Sequence, residues 1–584
     1  MKRQYLLGAL CLASCSLNAQ DSFHLFLKDG SHIDYLTSEV DSVVFVHDDN
    51  QGGQPNIPEE PNPGDVTEGT VKIISAAGWL ESAYAEWAPL SNASNYNVYC
   101  KPAAAANYEK VDAMLVRDYG DKIRVDVLGL KEGKHDVKIL PVVNGKESGT
   151  PTVVSFDVKG HDRSGFAHMG GATVGAYNND GTLKENAVVI YVTEKNKSTL
   201  TADVFTSASK TTSCTGISAV MSALQKGYEK RPFCIRLIGR ITAEGMTGSG
   251  DNNNLLLKAS NNDRPVKDVT IEGVGNDATC YGFGVRGIRN NNCEIRNLGI
   301  MLFGDDGIAF ETNNKNCWVH HNDIFYGTAG SDADQAKGDG SLDVKDDSQY
   351  MTFSYNHFFD SGKMSLCGMK SETGPNYITY HHNWFDHSDS RHPRVRTMSV
   401  HVYNNYYDGN AKYGVGAVMG SSVFVEANYF RNVAKPMMCA GQGTDALGDG
   451  TFSGEAGGLI KSFNNYFTEK PSKFSFITQK ENATSFDAYE VTNRQDAVPS
   501  SVKAVLGGTT YDNFDTNSSL MYSYTPDDPT QVAKIVSSYA GRMNGGDFSW
   551  KFDNSKDDND YSVNASLMAA IKGYQSKLVK VLGE

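Results

Sequence analysis

The stretch "YITYHHNWFDHSDSRHPRVRTMSVHVYNNYYDG", residues 377–409, decides the fold. Within it an asparagine followed by large apolar residues occurs twice, as "NWFD" at Asn383 and "NYYD" at Asn405. Each is preceded by a strand-like run, "YITYHH" and "SVHVY", in which β-branched and aromatic residues suit a pleated, half-buried backbone. The same pattern extends outward as "NLGI" at Asn297, "NDIF" at Asn322, "NHFF" at Asn356, "NYFR" at Asn428 and "NYFT" at Asn465. The successive spacings are 25, 34, 27, 22, 23 and 37 residues. A strand-rich repeat of this length indicates a solenoid. One strand cluster and one asparagine turn per rung indicate a parallel β-helix, in which stacked asparagines hydrogen-bond along the axis.

Two spacings are long because loops are inserted. One is "YGTAGSDADQAKGDGSLD" after Asn322, the other "VAKPMMCAGQGTDALGDGTFSGEAGG" after Asn428. Loops added to a rigid coil are where function tends to sit.

The whole chain has 584 residues, a formal net charge of −15, 57 glycines and 29 tyrosines. Its length implies several domains, and its acidity excludes a general electrostatic pull toward nucleic acid or an anionic membrane. Residues 1–20 read as an export signal, with basic Lys2 and Arg3 ahead of a short apolar run from Tyr5 to Ser14. Two cleavage readings stand side by side: a lipoprotein box in "LASC", which would lipidate Cys15, and ordinary cleavage near Ala19 or Gln20. The expected location is therefore outside the cell, at its outer surface or in the periplasm of a bacterium. No other apolar run is long enough to span a bilayer. Eight further cysteines are scattered with no CxxC pair, so small buried thiols are expected rather than a zinc or redox motif.

Residues 21–47 alternate apolar and polar around Asp29 and Gly30, a hairpin signature. Residues 48–66, rich in Pro, Gly, Asn and Asp, read as a disordered linker. Residues 67–159 carry six short strands with turns between them, which predicts a small β-sandwich. "AYAEWAPLSNASNYNVYCK" and "VLGLKEGKHDVKILPVV" resemble a fibronectin type III domain, with Trp87 as its core tryptophan. Residues 160–584 are left for the β-helix. The last stretch, "SVNASLMAAIKGYQSKLVKVLGE", reads as an amphipathic helix packed on the coil.

The chemistry concentrates on the coil. "FGDDGIAFE" carries Asp305 and Asp306, and "GDGSLDVKDD" carries Asp339 and Asp343, four apart on one strand face. Three converging carboxylates with no cysteine nearby suit a hard cation bound through oxygen, namely calcium (Ca2+). One and two repeats later come Lys363, in "DSGKMSLCG", and Arg391, Arg394 and Arg396, in "RHPRVR". Rungs of a coil stack at about 5 Å, so acids and bases share one face. A cation site beside arginine forks suits a polymer carrying many carboxylates. The pairs His320–His321 and His381–His382 are not expected to chelate together, because neighbours in a strand point to opposite faces.

These motifs resemble the pectate lyases of polysaccharide lyase family 1. "VTIEGVG" is similar to the family's TI-x-G-x-G turn, and "NCWVHHNDIF" to its VW-I/V-DH segment, with His320 in place of the aspartate. "GDGSLDVKDDSQYMTFSYNHF" is similar to its D-x-x-x-D stretch, and residues 377–409 to its HHN, R-x-P-x-x-R and H-x-YNNY block. The resemblance implies an all-β chain, a right-handed parallel β-helix preceded by the small sandwich, acting alone as a monomer on polygalacturonate. It implies calcium-dependent eliminative cleavage, with Arg391 as base, Lys363 and Arg396 holding substrate, and Asp306, Asp339 and Asp343 holding calcium, Asp305 being the alternative to Asp306. A pectin lyase acting on methyl-esterified polymer and a non-catalytic glycan-binding β-helix remain the other readings, and Arg394 has no role assigned by the motif.

Overall fold

The computed structural model describes residues 22–26 and 32–36 as backbone strands, and residues 64–247, 253–330, 335–448, 451–452 and 454–584. The export signal with Cys15, the Asp29 and Gly30 turn and residues 48–63 of the linker lie outside the described residues. The chain divides into two units, residues 1–54 and 55–584. In the first, Ser22–Phe26 and His32–Leu36 pair antiparallel, Ser22 opposite Leu36.

The second unit begins with two antiparallel sheets. One orders Ile73–Gly78, Ser82–Trp87, Ile123–Leu128 and Val116–Asp118. The other orders Asp65–Thr67, Thr152–Val158, Gly133–Val143, Asn95–Pro102 and Glu109–Lys110. Alternate side chains from both, including Trp87, Val98, Val125, Ile139, Val154 and Phe156, bury into one core. Asp65–Thr67 corrects the expected linker, which was to run to residue 66: Val66 pairs with Val154 at the sheet edge.

Residues beyond the sandwich wind into parallel rungs. The regular rungs run strand, one left-handed residue, one asparagine, strand. The left-handed positions are His321, Tyr355, His382, Asn404, Ala427 and Asn464, with φ between 49° and 53°. The asparagine that follows bonds to the next rung. Asn322 Nδ2 donates to Asn356 Oδ1 at 3.0 Å, and the chain of bonds continues through Asn383, Asn405, Asn428 and Asn465 at 2.9–3.0 Å. Asn297 is one residue out of this register. It takes the left-handed position itself, with φ 57°, and Leu298 stands where the ladder asparagine would be.

The left-handed residue also overturns the reason given for keeping the histidines of each pair apart, namely that neighbours point to opposite faces. His320 and His381 end their strands, and the chain turns at His321 and His382. The two rings of each pair are thereby brought together, with Nδ1 atoms 2.8 Å apart.

Inside the coil, side chains stack in columns such as Ile271, Ile295, Val319, Phe353, Tyr380, Val402 and Val425. Among the described residues, eight cysteines are buried and unbridged. The helix Ile217–Leu224 adds Ile217, Val220, Met221 and Leu224 to the core of the first rungs. The expected C-terminal helix is shorter than its sequence pattern. Only Ala565–Lys572 is helical, burying Leu567 and Ile571 against Met301, Phe325 and Phe359 of the coil. The chain then crosses to the sandwich, where Lys580–Val581 pairs antiparallel with Val116–Asp118.

Four short strands of a second parallel sheet carry the candidate site: β1 (Ile308–Glu311), β2 (Leu342–Val344), β3 (Leu366–Cys367) and β4 (Arg394–Arg396).

Candidate active site

The register of β1 to β4 sets which side chains meet. Gly307 N donates to Gly340 O, Gly340 bridges Lys363, and Ser365 N donates to Arg391 O. Asp306, Gly340, Lys363 and Arg391 therefore lie in or beside one column at the entrance to successive strands. A second column holds Asp343, Leu366 and Arg394. Acidic residues occupy the first two rungs and basic residues the next two, as the spacing of the motifs predicts.

Asp306 and Asp343 converge on Gly340. A side chain there would come within 2.4 Å of Asp343 Oδ1 and 2.8 Å of Asp306 Oδ1, so glycine is required by space. Asp306 Oδ1 accepts from Gly340 N at 3.0 Å, and Asp343 Oδ1 from Leu366 N at 2.8 Å. Burial, and then the Asp343 carboxylate beside it, pushes Asp306 well above the usual carboxylate range. Oxygens of Asp305, Asp306 and Asp339 also lie within 4.8 Å of one another. Both Asp305 and Asp306 thus reach the cluster. A buried carboxylate crowded by like charge, with further oxygen-donor side chains in reach, fits calcium in donor chemistry.

The basic half adjoins it directly. Lys363 Nζ lies 3.0 Å from Asp339 Oδ1 and is itself buried. Arg391 takes a left-handed backbone, φ 67°. It lines a cleft of about 400 Å³ together with Leu366, Met369, Lys370, Ser371 and Arg396.

Two residues here escaped the reading of the sequence. Lys345 bridges the acids, 2.7 Å from Asp306 Oδ2 and 3.0 Å from Asp343 Oδ2. Its spacing of two from Asp343, hence the same strand face, was the available signal. Glu455, from the second insertion, has no such signal. It accepts from Arg394 Nη2 at 2.9 Å and from Arg396 Nη2 at 2.9 Å. Arg394 also lies over the Phe452 ring, 5.3 Å from its centroid. Arg394 is therefore turned toward the inserted loop. His320, in the place of the family aspartate, lies away from these four strands and is bonded to Glu294.

Comparison with known proteins agrees with the coil. The family model described as pectate lyase matches residues 153–544. The pectate trisaccharide-lyase of Bacillus licheniformis is 35% identical over 225 residues, covering 38% of this chain and 62% of that protein. Pectate lyase 3 of Pectobacterium atrosepticum is 28% identical over 282 residues, covering 47% of this chain and 67% of that one. The chain thus spans less than two thirds of the first relative's length. A solved pectate lyase from Bacillus sp. N165 aligns at 22% identity and a TM-score of 0.43, over 65% of this chain and 98% of the other.

Proposed function

The chain belongs to the pectate lyase family, and from that premise we propose that it is a calcium-dependent pectate lyase, cutting α-1,4-polygalacturonate by β-elimination. The observation that carries the reading is the column of Asp306, Gly340, Lys363 and Arg391, which sets a carboxylate cluster against a basic cleft on adjacent rungs. A hydrolase would need paired catalytic carboxylates and a water; here the acids adjoin cations instead.

In this mechanism Arg391 removes the proton from C5. The electrons form the C4–C5 double bond, and the C4–oxygen bond breaks with its pair on the departing glycosidic oxygen. Arg396 holds a substrate carboxylate through its planar fork, and Lys363 supplies a second positive contact. Asp306, Asp339 and Asp343, with Asp305 beside them, would hold calcium, which when bound would supply charge neutralisation for the carboxylate beside the reacting carbon. An arginine side chain ordinarily holds its proton far into the alkaline range, so an arginine base is scarce near neutrality and turnover rises on the alkaline side.

Residues 67–159 act as a fibronectin type III-like spacer or binding module; the two-sheet strand order and buried Trp87 support this. Export follows from the N-terminal signal reading, and among the described residues no helix is long and apolar enough to cross a membrane.

The test is the ultraviolet absorbance of the unsaturated product, with polygalacturonate as substrate, with and without a calcium chelator. No absorbance rise with calcium at alkaline pH sinks the proposal. Activity that survives chelation and prefers methylated polymer reassigns the protein as a pectin lyase.

A further inference from the structure

The two histidine pairs end strands of the larger parallel sheet of the coil, not of the sheet that carries the acids and arginines of the cleft. They are two rungs apart, with the Tyr355 ring stacked between them, 5.0 Å from His321 and 4.6 Å from His382. The segment leaving the sandwich gives each pair a third group from consecutive residues. Donor atoms of His161, His320 and His321 lie within 4.8 Å of one another, and so do those of Asp162, His381 and His382.

Hydrogen bonding decides which nitrogens carry protons in the first cluster. His320 Nε2 lies 3.1 Å from Glu294 Oε1, a carboxylate that accepts. His320 therefore donates from Nε2 and accepts at Nδ1, and His321 Nδ1 is the donor to it. That leaves His321 Nε2 as a bare lone pair. His321 is 3% exposed, and its Nε2 has no hydrogen-bond partner among the described residues; His161 is only half-buried, but its Nδ1 is also closed to solvent and without a hydrogen-bond partner. An unpaired buried acceptor is costly and calls for a partner.

Other atoms of His161 and His321 line part of a cavity of about 530 Å³ between the coil and the sandwich, and the two unpartnered nitrogens lie just behind its wall. Its walls carry the carboxylates of Glu132, Asp162 and Asp527 against the ammonium of Lys159. The nearby guanidinium groups are matched: Arg163 Nη2 donates to Glu81 at 2.9 Å, and Arg296 Nη2 lies 2.7 Å from Glu272. The cavity wall thus carries more carboxylates than cations, with two unpartnered imidazole nitrogens beside it. Calcium takes oxygen ligands and would leave those nitrogens unused. Neutral imidazoles, one of them orienting its ring by donating its other N–H, suit a borderline divalent ion such as zinc.

We propose that this cavity binds a divalent transition-metal ion of zinc-like ligand preference through His161 and His321, and so pins the segment leaving the sandwich to the coil. The site is separate from the calcium cluster and plays no part in the elimination.

The test uses the full chain without an affinity tag, calcium in excess to fill oxygen sites, and zinc ions as the probe. Equilibrium dialysis with elemental analysis should find one zinc per chain, and zinc should raise the melting temperature. Cobalt ions in place of zinc should give a visible absorption band from nitrogen ligation. His161→Gln and His321→Gln should each weaken zinc binding at least about 100-fold, with calcium-dependent turnover at saturating calcium unchanged. Wild-type protein that takes up no stoichiometric zinc overturns the proposal whatever the variants do. So do folded variants that keep the zinc.

Discussion

Glu455 grips Arg396 at two points: Nη2 donates to Oε1 at 2.9 Å and Nε to Oε2 at 3.2 Å. This is the fork geometry in which an arginine takes a substrate carboxylate. In the proposed mechanism the polymer must displace Glu455 or share the guanidinium with it. Glu455→Gln keeps the shape and removes the competing charge. The expected result is a fall in KM for polygalacturonate of about fivefold, roughly 1 kcal/mol, with kcat changed by less than about twofold. Steady-state kinetics decide; a raised KM would mean that Glu455 aims Arg396 rather than competing for it.

Arg391 carries the proposed proton transfer. Arg391→Lys retains a cation but moves the base, and should lower kcat by about 10²–10⁴-fold, with the circular dichroism spectrum unchanged. Turnover within a few-fold of wild type would remove Arg391 from the role of base.

The acids divide between charge and space. Asp306→Asn leaves the volume beside Gly340 intact and removes one charge from the oxygen cluster. Calorimetric titration should show calcium affinity weakened at least about tenfold, and activity recovered at higher calcium. Identical calcium curves for wild type and variant would refute the ligand assignment.

His387 links alkaline stability to the C-terminal tail. Burial by itself would lower its pKa, but Asp386 Oδ1 at 2.6 Å and Asp558 Oδ1 at 3.1 Å outweigh it and raise the group to about 10. A raised pKa means that the folded state holds the proton more tightly. The stabilisation is complete below the ordinary value of 6.5 and is lost as pH rises through about 10. Asp558→Asn should therefore lower the melting temperature at pH 7 by several degrees and by progressively less toward pH 10. An equal loss at both ends of that range would contradict the linkage.

The asparagine ladder gives a prediction for the coil itself. Asn383 accepts from Asn356 Nδ2 at 3.0 Å and donates to Asn405 Oδ1 at 2.9 Å and Phe353 O at 2.9 Å. Asn383→Ala leaves those buried partners unpaired and should cost about 3 kcal/mol in denaturant unfolding. A loss below about 1 kcal/mol would mean that the ladder follows the fold rather than holding it.

The coil was legible because every rung must solve the same problem at the same place. A buried turn needs a side-chain amide, so asparagine recurs with the rung's length. The slip at Asn297 shows the limit: two adjacent positions both accept asparagine, one for its left-handed backbone and one for its amide. The same turn misled the reading of the histidines, since alternation of faces holds only inside a strand. The site's two columns were readable from motifs one rung apart. Lys345 was within reach of the same argument. Glu455 was not, because its loop returns to β4 across some sixty residues with no periodicity to mark it. Asp65–Thr67 and Lys580–Val581 were invisible for a related reason. A two- or three-residue strand owes its existence to the partner edge rather than to its own composition.

The closing strand at Lys580–Val581 also imposes an order of events. The Asn95 side chain bonds to the Leu582 carbonyl across a separation of 487 residues. A chain emerging from its N-terminus displays the sandwich edge at Val116–Asp118 long before the segment that will cover it exists. Through synthesis, that edge must stay unpaired or find a temporary partner. Only the arrival of residues 580–582 lets two segments of the chain 487 residues apart hold each other.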